Sequence, residues 1–209
     1  MKNPTHLIAL FASLVAAPAL AQQELAINGD FETGDATGFN VFVGPPERTF
    51  EVVSDPVSGS FIGEINNTLS GNPAVIQQAN LGVGVVTPGE TIEISFDARG
   101  EFGVGGVAFA EFFSELDGGG TSSSAILGGG PLSLTNVFQT FTFTAVTGPD
   151  VAGGVTLQFN AATGAITGST AFLAVDNLSV TRTIPEPAAA SLLAFGGLAT
   201  LFRRRQKAA

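Results

Sequence analysis

The chain has 209 residues, with 18 acidic and 8 basic side chains and a net charge of −10. That balance repels nucleic-acid phosphates and excludes them as partners. Cysteine, tryptophan and tyrosine are absent and the one histidine is His6, so disulfides, Ser-His-Asp and Cys-His catalysis and histidine-held zinc are excluded beyond the N-terminus.

Lys2, an apolar run over 7–20 and Ala19-Leu20-Ala21 predict a helical secretory signal peptide over 1–21, cut by signal peptidase before Gln22. Residues 22–184 are enough for one domain with a real core. The basic residues of this stretch are Arg48, Arg99 and Arg182, so the exported part is more acidic than the whole chain.

From there the periodicity is two. Ile92, Ile94 and Phe96 alternate with Thr91, Glu93 and Ser95, and Phe141 and Phe143 alternate with Thr140, Thr142 and Thr144; each pattern predicts a strand with one buried face. Residues 155–159 repeat it. Further strands are predicted over 50–53, 61–65, 75–78, 107–113 and 172–180. Turn chemistry separates them: Pro45-Pro46, Asp55-Pro56, Thr87-Pro88-Gly89, Gly148-Pro149. The Gly-rich stretch 117–131 reads as a long loop. Many short strands without intervening helices predict an all-β sandwich, flanked by the signal-peptide helix and a short hydrophobic C-terminal helix.

The domain opens Asn28-Gly29-Asp30-Phe31-Glu32 and closes Val175-Asp176-Asn177, with Gln77-Gln78, Pro88-Gly89-Glu90 and Val137-Phe138-Gln139 between. This ordered set resembles the galactose-binding-like jelly roll, in particular carbohydrate-binding modules of families four and nine. The resemblance implies a jelly-roll β-sandwich over 22–184. It also implies a structural calcium ion where the first and last strands meet, held by Glu32 and Asp176 with Asp55 and the carbonyls near Ser58 as helpers. On the residues alone, Glu32 and Asp176 read equally well as hydrogen-bonded structural carboxylates. Family members carry Trp where this chain has Phe39, and often where it has Phe138. These two are the candidate glycan-stacking residues, although Phe lacks the polar edge of Trp or Tyr and suits a packed core more readily. Glu111 and Glu115 are the visible carboxylates for glycoside hydrolysis. Without His, Cys, Tyr or Lys beside them, the expectation is a protein that is not an enzyme.

The C-terminal residues read Pro185-Glu186-Pro187, an apolar run over 188–202, then Arg203-Arg204-Arg205. The prolines forbid a helix across the first part. The apolar run is shorter than the about twenty residues that cross a bilayer comfortably, and the arginines hold the end in the cytoplasm. This tail, residues 185–209, resembles the PEP-CTERM protein-sorting tail of Gram-negative bacteria. That resemblance implies a transient inner-membrane intermediate, cleavage by an exosortase near Pro-Glu-Pro, and transfer to the cell surface or extracellular space in a bacterium that makes exopolysaccharide. Two functions remain open: a matrix protein that associates with exopolysaccharide through its jelly roll, or a structural and adhesive envelope or biofilm component that binds no glycan.

Overall fold

The computed structural model describes residues 20–56 and 60–185. Ser58 and both predicted terminal helices lie outside the described residues, as does the sorting tail beyond Pro185. Residues Gln22–Thr183 form one compact unit. Among the described residues no helix is long and apolar enough to cross a membrane.

Eleven strands follow in chain order: β1 (Leu20–Glu24), β2 (Asn40–Phe42), β3 (Arg48–Ser54), β4 (Phe61–Asn67), β5 (Pro73–Leu81), β6 (Thr91–Phe102), β7 (Val107–Glu115), β8 (Thr121–Ile126), β9 (Gln139–Val146), β10 (Val155–Ala162) and β11 (Ala171–Pro185). β1 begins two residues before the expected cleavage point. Sheet 1 runs β3-β4-β11-β6-β9, with β1 also paired to β11, and sheet 2 runs β2-β5-β10-β7-β8. Pairs among β2 to β11 are antiparallel. Apart from β3-β4 and β7-β8, neighbours in each sheet are not consecutive in sequence, and the two sheets stack as a jelly-roll β-sandwich.

The predicted alternation is what packs the sheets together. Ile92, Ile94, Phe96 and Ala98 of β6 and Leu173 and Val175 of β11 are buried against Ala74 and Ile76 of β5, Ala108, Ala110 and Phe112 of β7, and Leu157, Phe159 and Ala161 of β10. Phe96 meets Phe159 edge-to-face across the two layers, with centroids 4.8 Å apart at 84°, a geometry aromatic pairs favour. Two buried polar side chains also cross between segments. Asn67 donates from sheet 1 to the Ala161 carbonyl of sheet 2 at 2.8 Å. Gln78 both accepts from the Ile27 N–H at 2.9 Å and donates to the Ile27 carbonyl at 2.6 Å, which fixes the opening segment to β5.

Three strands escaped the sequence reading. β1 falls partly in the segment assigned to the signal peptide. β2 is a three-residue edge. β8 occupies part of the stretch read as a loop; its Thr-Ser-Ser-Ser-Ala-Ile lacks an apolar alternation because it lies at the sheet edge beside β7, largely outside the core.

Candidate functional site

The opening and closing signatures meet. Leu178 N–H donates to the Gly29 carbonyl at 2.9 Å, and a Cβ on Gly29 would collide with the Leu178 carbonyl; glycine is there because backbone lies against backbone. Asn28 organises the loop that follows, donating to the Asp35 and Thr37 carbonyls and accepting from the Thr33 N–H. Phe31 holds a φ of 55° while fully buried, a conformation bulky residues rarely adopt. On the closing side, the β11–β6 register shifts between Asp176 and Ser179 and Asn177 sits at φ 48°. This bulge lets the Asn177 amide donate to Asp97 at 2.9 Å.

The bulge gathers negative charge. Burial pushes the Asp176 carboxyl up to about 6; the Asn177 N–H bond opposes this, and the charges of Asp97, Glu32 and Asp30 add to it. Glu32 and Asp176 are thus brought within electrostatic reach of each other. Glu32 also accepts from the Phe61 N–H at 2.8 Å, tying the opening loop to β4. Asp55 is buried, 3.7 Å from the Arg99 guanidinium. Calcium takes about six to eight oxygens. Among the described residues no three acidic side chains form a group that could hold a metal ion. Glu32 and Asp176 alone supply too few oxygens for such a shell, and main-chain carbonyls would have to complete it.

Phe39 and Phe138 border different sheets. Phe39, before β2, stacks on Phe31 with centroids 4.8 Å apart and packs against the core. Phe138, before β9, lies under the Arg99 guanidinium, 4.8 Å from its ring centroid, while Arg99 also reaches Glu64 at 3.4 Å. The two rings form no common platform. Glu111 and Glu115 share the outer face of β7, four residues and about 13 Å of strand apart, and Glu111 accepts from Gln158 at 2.8 Å.

The outer face of sheet 2 is a candidate site that reasoning from single residues missed. The registers align Asn40, Gln77, Gln158, Glu111 and Ile126 in one row across all five strands. A second row runs Phe42, Val75, Asn160, Phe109, and a third Thr156, Phe113, Ser124. Phe42 is 54% exposed and Ile126 45%. Gln158 donates to Glu111 at 2.8 Å. Thr156 Oγ1 and Asn160 Oδ1 are buried without a hydrogen-bond partner among the described residues, an arrangement that costs free energy unless something else supplies the bond. The motif Gln77-Gln78 splits by strand alternation: Gln78 points inward and holds Ile27, and Gln77 joins the outer row. The signal was present in β7, whose outward positions Phe109, Glu111, Phe113 and Glu115 alternate aromatic and acidic.

No protein family matches the sequence, and no curated protein matches it. Solved structures do. The enzymatically active domain of bacteriophage CBA120 tailspike protein 4 superposes with a TM-score of 0.57 at 16% identity, over 77% of this chain and 21% of that one. The CBM22-1–GH10 modules of Clostridium thermocellum endo-1,4-β-D-xylanase 10B, complexed with xylohexaose, give 0.53 at 17% identity over 77% of this chain and 28% of that one. The CBM22-1 xylan-binding domain of Paenibacillus barcinonensis Xyn10C gives 0.53 at 14% identity, over 82% of this chain and 98% of that one. The chain thus spans under a third of the first two proteins and nearly all of the third. At these identities the likeness establishes the fold: this is the jelly roll that carbohydrate-binding modules use.

Proposed function

We propose that the chain is an exported, non-catalytic polysaccharide-binding protein of the cell surface or extracellular matrix, and that it grips a glycan across the outer face of sheet 2. The row of Asn40, Gln77, Gln158 and Glu111 carries the reading. Amides and a carboxylate spaced by the strand repeat extend about 14 Å across the face, enough for two to three linked sugar rings. Phe42, Phe109 and Phe113 flank them with apolar surface for the C–H faces of sugars. No basic side chain lies in the three rows, which favours neutral over acidic glycans. In this reading signal peptidase frees the N-terminus, an exosortase removes the C-terminal tail from its inner-membrane intermediate, and the ligand in the native host is exopolysaccharide. Calcium belongs to the same proposal: Glu32 and Asp176 would hold it, and its charge would neutralise the crowded carboxylates that raise Asp176.

Calorimetric titration with neutral hexasaccharides, xylohexaose and cellohexaose among them, tests the face. Gln158→Ala and Glu111→Ala should each weaken binding about tenfold, the loss of one hydrogen bond with charged character, at unchanged melting temperature. Absence of binding across the panel would leave the structural and adhesive reading, which the lack of Trp and Tyr favours.

A further inference from the structure

Sheet 1 carries its own groove, on the side of the sandwich away from the face just described. It has a volume of about 430 Å³ and is lined by Asn66, Thr68, Glu101, Gly103, Thr170 and Phe172, with neighbouring backbone. The register explains its composition. Phe172 of β11 stands directly between Asn66 of β4 and Glu101 of β6. All three occupy outward positions, because Leu173 on the alternate phase is fully buried. Phe172 is half-buried and takes no part in the core cluster. It is thus an aromatic ring set into an outer sheet surface, with an amide on one side and a carboxylate on the other. Asn66 and Glu101 are exposed and donate or accept no side-chain hydrogen bond among the described residues, unlike most polar side chains around them. In the next row Arg99 is engaged by Glu64 at 3.4 Å and by Asp55 at 3.7 Å, and among the described residues no Lys or Arg lines the groove.

We propose that this groove is a second saccharide site, taking one or two units of a neutral, hydroxyl-rich chain. A sugar ring can lay its C–H face on Phe172 and send hydroxyls sideways, donating to Glu101 and exchanging hydrogen bonds with Asn66, Thr68 and Thr170. An apolar ligand would leave the amide and carboxylate unpaired beneath it, at a cost. An anionic ligand would meet Glu101 with no compensating charge. The groove stands on its own geometry. Together with the sheet 2 face it makes the domain divalent, able to bridge two polysaccharide chains through the thickness of one sandwich and to gain the avidity of linked sites.

The test is calorimetric titration of the full-length chain with xylohexaose, cellohexaose, laminarihexaose and maltohexaose. At least one should bind with two sites per chain. Phe172→Ala should abolish one of them, and Glu101→Ala, an exposed position that leaves packing intact, should weaken the same one about tenfold. Gln158→Ala should affect only the other. A chain whose sheet 2 face binds nothing should still show the binding that Phe172→Ala and Glu101→Ala remove, so failure of the first site and of this one are separable. Absence, across all four probes, of any binding that both groove substitutions reduce overturns the proposal.

Discussion

Gly29 has no space for a side chain, since its Cα lies against the Leu178 carbonyl. Gly29→Ala must separate the opening loop from the bulge in β11, and overpacking of this kind costs about 1–3 kcal/mol. Chemical denaturation should show that loss, with a midpoint shift at unchanged slope. Asp176 has the opposite character, because its charged form is what burdens the fold. Its pKa is raised from 3.8 to about 6, by burial first and then by Asp97, Glu32 and Asp30. With the folded-state value above the unfolded one, the folded state binds the extra proton between these limits. Stability from this group therefore falls as pH rises through that window, and the penalty is complete above about 6. In chelator at pH 7, Asp176→Asn should melt higher than the wild type, and the gap should close near pH 4. Saturating calcium should reverse the order at pH 7, because an ion that binds only the folded wild type adds about 2.7 kcal/mol at a hundredfold excess over its Kd. Identical melting of the wild type with calcium and with chelator would reduce Glu32 and Asp176 to structural carboxylates.

At the scale of elements, β6 is the strand whose failure the sandwich could not survive. It pairs with β11 on one side and β9 on the other, and Ile94 at its middle is fully buried. Ile94→Asp places an unpaired charge in the core, a loss above about 3 kcal/mol against a total stability of about 5–15 kcal/mol. Loss of the cooperative β-sheet signal in circular dichroism should follow. The same strand shows why much of the fold was legible in the chain. Its alternation of Ile92, Ile94 and Phe96 with Thr91, Glu93 and Ser95 is the direct image of one buried face, and β7, β9, β10 and β11 were readable for that reason. β2 and β8 were not, because they lie largely outside the core and carry no such pattern, unlike the edge strand β9, whose Phe141 and Phe143 pack against the core. The candidate site was legible only in part. Glu32 and Asp176 fall together because short backbone-rich signatures fix them. The row from Asn40 to Ile126 depends on register between strands distant in sequence, such as Gln77 with Gln158 and Gln158 with Glu111, and no local pattern encodes it. Phe39 and Phe138 could be recognised as aromatic, but which layer each would border depended on the same long-range pairing.

For the whole molecule, the proposed route to the surface makes a processing prediction. Mass spectrometry of the protein recovered from its host should find a first residue of Gln22 and no peptide from 188–209. Changing Pro185, Glu186 and Pro187 to alanine should leave the chain in the inner membrane. Recovery of intact Arg203-Arg204-Arg205 peptides from surface material would refute the sorting tail.

β11 ends at Pro185, where the proposed sorting motif begins. It is an interior strand, paired with β6 along most of its length, with β4 on the other side over its first third, and with β1. Near its end Arg182 donates to Glu90 at 2.7 Å. A protein tethered through this end while a polymer drags on its sheets would transmit the pull along the axis of β11. Hydrogen bonds on both flanks would then be sheared together, whereas a tether on an edge strand would let them peel one at a time. If the chain is attached through its tail, an attachment point after an interior strand would make the fold a mechanical clamp. Single-molecule pulling between the end of β11 and a handle on the outer face of sheet 2 should require higher unfolding force than pulling from β8, and equal forces would remove this role.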